Sequence, residues 1–176
     1  TLLQLGVPFA PKLGDDDMHG LRFIWALPGP SEPLFSGHQN GTITLNLNEA
    51  NDAHREATRV SFGEPQRTVL GHLRHELAHY LHQRFVDGWP EISTFRDIFG
   101  DERADYPSAL QQHYECGPAA DWQQHFVSAY AGSHPWEDWA ETWAHYLLMV
   151  EAVDTAAAWG LQLPLAGGMR VPLGQS

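Results

Sequence analysis

Two histidines four residues apart, His75 and His79, enclose a glutamate in the pentapeptide His75-Glu76-Leu77-Ala78-His79. On an α-helix a step of four residues overshoots one full turn by only about 40°, so both imidazoles stand on one face and can reach a single ion. Imidazole suits zinc, and a carboxylate directly after the first histidine can take a proton from a water that the metal polarises. This is hydrolytic chemistry. A third ligand, a His, Asp or Glu from a later element, has to complete the site and leave one position for water.

The element that positions the pentapeptide is an expected helix opening at Pro65 and running to about Phe85, where Asp87-Gly88-Trp89-Pro90 ends it. At 100° per residue, Leu70, Leu73, Leu77 and Leu81 form one stripe, and His72, His75, His79 and His82 cluster on the other side. Leucines facing a core and histidines facing a cleft are what a metal site needs; His72 and His82 read as walls of that cleft. Further on, a helix from Pro135 to about Trp159 stacks Trp136, Trp139, Trp143, Leu147 and Val150 on one side, and Glu137, Glu141 and His145 on the other. Carboxylates stacked one turn apart repel by a few tenths of a kcal/mol, a sign that a metal or a histidine proton between them reverses.

Around these two helices the pattern predicts an α+β fold. Residues 21–27 form a short β-prone run, and residues 41–47 alternate polar and apolar with period two. Asn48 is placed to cap a helix to about Val60, and shorter helices are expected over 92–99, 102–114 and 118–130. The whole chain, 1–176, reads as a single catalytic domain. A small N-terminal twisted sheet packs on the histidine helix (about 1–88), and a mostly helical lobe follows (about 89–176).

Composition bounds the function classes. Apolar residues make up 43% and charged residues 18%, as in a globular protein, and no apolar run is long enough to span a bilayer. A net charge of −12 argues against a nucleic-acid partner, which needs clustered Lys and Arg. The one cysteine, Cys116, excludes an internal disulfide framework and reads as structural. A cytoplasmic location is expected, with secretion left open because the chain starts at Thr1 without a methionine.

His75 to His79 together with Glu137-Asp138-Trp139-Ala140-Glu141 resembles the HExxH…ExxAE pattern of gluzincin zinc peptidases, found in aminopeptidases and lethal-factor-type toxin peptidases. The segments Gly71 to Glu76, Phe99 to Tyr106 and His134 to Glu141 resemble a bacterial family of zinc-binding metallopeptidases, members of which often carry an N-terminal zinc ribbon. The resemblance implies a zincin-like fold and one zinc per chain. It implies Glu137 as the third ligand, and Glu141 as the outer group that orients a ligand histidine. Tyr130, seven residues before Glu137, takes the place of the oxyanion-donating tyrosine of lethal-factor-type peptidases. His145 is a candidate second oxyanion donor, with a core or surface histidine as the alternative. The spacing from His79 to Glu137 exceeds that of aminopeptidases, so Glu141 and the nearer Asp101, Glu102 and Asp105 stay open as rival ligands; for Asp101 and Asp105 caps and ion pairs with Arg96 or Arg103 are the favoured reading.

The expected activity is a zinc metalloendopeptidase acting on a peptide or protein through a metal-bound water activated by Glu76. Strand 41–47 is the candidate edge for aligning an extended substrate. The chain is expected to be a piece of a longer protein that includes the ribbon. Two other classes remain: a catalytically silent zinc-binding interaction domain, and a zinc hydrolase of non-peptide amides.

Overall fold

The computed structural model describes residues 5–29, 34–62, 64, 67–164 and 170–172. The chain divides into two compact units, one of Pro8–Ala144 and the other of Thr1–Val7 with His145–Ser176.

In the larger unit three strands, β1 (Arg22–Ala26), β2 (Gly37–Gln39) and β3 (Thr42–Asn46), form a sheet in the order β1-β3-β2. β1 runs parallel to β3, and β2 is antiparallel to it, with His38 opposite Ile43. Alternation along β3 is as the sequence pattern demands: Ile43 and Leu45 are buried, while Thr42, Thr44 and Asn46 are half-buried. β2 was not anticipated. Three residues are too few to show a period, but Asn40 and Gly41, both at positive φ (48° and 75°), make the two-residue turn that antiparallel strands favour. A side chain at Gly41 would also meet the carbonyl oxygen of Gly20 at 2.1 Å.

β3 is therefore the central strand. Its hydrogen-bonding edges are both taken, so residues 41–47 cannot receive an added peptide strand, and that expectation is corrected here. Among the described residues the outer edges of this sheet belong to β1 and β2.

Helices α1 (Asp52–Phe62), α2 (Val69–Phe85), α3 (Ile92–Phe99) and α4 (Tyr106–Cys116) follow, then α5 (Pro135–Ala158). α2 begins at Val69, where the Thr68 hydroxyl caps it by accepting from the Gly71 N–H at 2.9 Å; Pro65 lies outside the described residues. α1 is capped by Asn51, which accepts from His54 N, because Asn46 to Ala50 close a 3₁₀ turn first. α4 starts only at Tyr106, since Asp105 accepts from Ser108 N and sets the cap there. The helix expected over 118–130 is absent. Three-residue turns at Trp122–Gln124 and Ala131–Ser133 stand there instead, and the Ser128 hydroxyl takes the Ala131 N–H that a helix would have used.

α2 packs against β2 and β3. Tyr80, Leu77 and Leu81 are buried, and the Tyr80 hydroxyl donates to the His19 carbonyl at 2.7 Å. The leucine stripe does not extend to Leu70, which is half exposed. His82 is no cleft wall: it is buried with its ring edge-on to Phe95, Trp136 and Trp139, and its Nδ1 stands 3.1 Å from Asp87. An apolar ring of neighbours, rather than the helix's own pattern, decides its place.

In the smaller unit the end of α5 is followed by a hairpin of β4 (Gln162–Pro164) and β5 (Arg170–Pro172). Among the described residues no helix is long and apolar enough to cross a membrane.

Candidate metal centre

Two helices of the larger unit build the site, α2 and the first part of α5. The Trp139 indole N–H donates to the Ala78 carbonyl at 2.8 Å and ties α5 to the middle of the pentapeptide. That anchoring sets Glu137 and Glu141, one turn apart, against the histidine face of α2. His75, His79 and Glu137 each bring one ligand atom into a group whose members lie within 4.8 Å of one another. The Nε2 atoms of the two imidazoles are 3.1 Å apart, and Glu137 Oε2 stands 3.0 Å from the first and 3.5 Å from the second.

These residues fit a metal. Glu137 is 1% exposed, and its Oε2 is shut away from solvent, facing the two imidazole nitrogens without a well-aligned hydrogen bond among the described residues. A buried carboxylate oxygen without a well-aligned partner is costly, and a cation at the meeting point of the three atoms removes that cost. Two nitrogens and one carboxylate oxygen are one of the ligand sets that catalytic zinc takes.

Two further polar atoms of this group, on His75 and Glu137, are held from outside. The Nδ1–H of His75 donates to Glu141 Oε1 at 2.8 Å, which leaves the Nε2 lone pair for the ion. Glu137 Oε1 accepts from the Tyr106 hydroxyl at 2.6 Å, so Oε2 is the oxygen left for the ion. Burial raises the Tyr106 phenol far above its ordinary value and the Glu137 carboxylate raises it further, so it stays a donor. Tyr106 had no assigned role in the sequence reading. Its only signal there was membership of the Phe99 to Tyr106 segment.

Tyr130 stands beside the cluster, its ring 6.1 Å from that of His75 and 5.7 Å from that of His113. Burial, and then the charge of Glu137, hold its phenol protonated. Glu76 is 5% exposed. Burial opposes its ionisation, but the contact with His72 and the nearby imidazoles of His75 and His79 prevail and hold it below the usual carboxylate value. It is therefore held as a carboxylate.

The rival ligands are engaged elsewhere. Asp101 pairs with Arg103 at 2.7 Å, Glu102 with Arg96 at 2.5 Å, and Asp105 caps α4. His145 belongs to the smaller unit, where it is exposed. Replacing Tyr106 with phenylalanine is expected to weaken zinc binding by about 10- to 100-fold, the usual cost of losing a group that orients a ligand. Competition with a chromophoric chelator measures this, and undiminished affinity would show that Oε1 needs no anchor.

A family model described as "Putative zinc-binding metallo-peptidase" matches residues 1–173. One protein of Mycobacterium bovis and two of Mycobacterium tuberculosis, all three named only as uncharacterized, are 48% identical to the chain over 176 residues, or 99% of its length. That match takes in 51% of each relative, so the chain spans about half the length of these curated proteins. No solved structure matches it.

Proposed function

The chain belongs to this family of zinc-binding metallo-peptidases, and from that premise we propose that it is a zinc-dependent endopeptidase with His75, His79 and Glu137 as ligands and Glu76 as proton carrier. The observation that carries the reading is a buried Glu76 on the same helix as His75 and His79, whose imidazoles converge with a buried Glu137 oxygen into a group that could hold one metal ion. Zinc held there would lower the pKa of a water to about 7 and polarise a peptide carbonyl. Glu76 takes the proton from that water and delivers it to the leaving amine, one group serving as base and then acid. Tyr130 donates a hydrogen bond from its hydroxyl to the developing oxyanion; one such donor is typically worth about 3 kcal/mol. Glu141 and Tyr106 keep the ligand atoms aimed.

β2 replaces β3 as the strand proposed to align the substrate. Among the described residues its outer edge is open in this sheet, and His38 sets it edge-on against Tyr80 of α2, with ring centroids 6.1 Å apart. Main-chain pairing along such an edge orients an extended peptide without reading its side chains.

A mixed peptide library, digested with the zinc-loaded protein and analysed by mass spectrometry, tests the proposal. Cleavage at internal bonds that a chelator stops and added zinc restores is the expected result. One zinc per chain without cleavage of any peptide would overturn it in favour of a silent metal-binding domain.

A further inference from the structure

We propose that His72 is a positioning residue, which fixes the carboxylate of Glu76 and is itself held by the buried Glu49; the inference rests on the reading of Glu76 as the proton carrier. His72 lies one turn before Glu76 on α2, where residues four apart face each other. Its Nε2 stands 3.2 Å from Glu76 Oε1 and its Nδ1 2.6 Å from Glu49 Oε2. The imidazole thus bridges two carboxylates that are both almost fully buried.

Glu49 sits in the 3₁₀ turn Leu47–Ala50 that leaves the central strand. Its other oxygen accepts from the Ser36 hydroxyl at 2.5 Å, and the Ser36 oxygen in turn accepts from the backbone N–H of Asn46 at 2.9 Å. The Arg67 guanidinium is 4.0 Å away. A continuous chain of hydrogen bonds and ion pairs therefore runs from the end of β3, through Ser36, Glu49 and His72, to the proton carrier. A buried carboxylate is kept only where its oxygens are engaged, and the closest charged partner of Glu49 is the ring that touches Glu76.

The consequence is geometric. Glutamate has three rotatable bonds, and a bond from His72 to Oε1 selects one orientation and leaves Oε2 as the oxygen that can exchange a proton. A carboxylate displaced by about 1 Å from its productive place loses on the order of 10²-fold in rate. His72 acts on the reaction only through Glu76.

The test compares His72→Ala and the bulkier His72→Leu, which remove the donor, with His72→Gln, whose amide N–H can still reach Glu76 from one turn away. Expected for Ala and Leu are one zinc per chain, an unchanged KM and a kcat lower by about 10- to 100-fold. Gln should recover most of the loss. Crystal structures of the zinc-loaded proteins should show the Glu76 carboxylate rotated away in Ala and Leu and in place in wild type and Gln. Full kcat in Ala and Leu, an unmoved Glu76, or a Gln variant as impaired as Ala each overturns the role. Should the wild type cleave no peptide, the peptidase reading falls, while the position of Glu76 in these structures still decides what His72 does.

Discussion

Replacing Glu76 with glutamine is expected to leave zinc binding at about one ion per chain and to lower kcat/KM for a sensitive peptide by 10²- to 10⁴-fold, or about 3 to 5 kcal/mol in the barrier. The two side chains have nearly the same shape, so packing at this buried position changes little. What is lost is the negative charge and the capacity to carry a proton. Glu76 is not among the three groups whose ligand atoms converge, and His75, His79 and Glu137 are untouched by the change. The bond to His72 survives, because the amide oxygen accepts from the same imidazole nitrogen that Oε1 accepts from now. Metal content by atomic spectroscopy, the melting temperature and the rate of cleavage together read the outcome. Rate retained at full zinc occupancy would remove Glu76 from the chemistry.

The parts of this site that were legible in the sequence are those written with a local period. Two imidazoles four apart need only a helix to share a face, and Glu137 and Glu141 need only the next turn of another helix. The rest depends on pairings that no local pattern encodes. Tyr106 reaches Glu137 across 31 positions and His72 reaches Glu49 across 23, and neither partner has a period that points to the other. The fold shows the same division. α3 and the strands β1 and β3 lie close to where the residue patterns place them, and α5 is a long helix as its aromatic stripe demands. β2 was lost because three residues carry no alternation, although its Asn-Gly turn was in plain view. The helix expected over 118–130 failed because polar side chains such as Ser128 satisfied backbone groups locally, and propensity yields to such bonds. His82 was misread for a related reason. A histidine on the polar side of a helix is drawn into the core when aromatic rings from other elements, Phe95 and Trp139, close around it.

Glutamine at position 137 is expected to weaken zinc binding on the order of 10²- to 10³-fold, since roughly 10 to 16 kcal/mol is shared among four ligands in small zinc sites. Glutamine at 141 should cost only about 10- to 100-fold, because that group acts through His75. The order of the two effects separates ligand from orienting group, and a larger loss at 141 would reverse the assignment. Proton competition gives the same site a signature in pH. In the metal-free chain burial disfavours the charged form of His75, but the carboxylates of Glu137 and Glu141 outweigh it and push the imidazole from 6.5 up to about 10. A raised value means that the proton on His75 stabilises the metal-free fold fully below about pH 6.5, and that this contribution is lost as pH rises through about 10. Zinc needs the Nε2 lone pair, so binding near neutrality must expel that proton, and the apparent affinity should rise about tenfold per pH unit across this window. Calorimetric titrations in buffers of different ionisation enthalpy count the protons released. In Glu137→Gln one of the two carboxylates holding the proton is gone, so His75 titrates lower and fewer protons leave per zinc even where binding can still be measured. A wild-type affinity flat between pH 6.5 and 9 would mean that His75 carries no proton for the metal to displace.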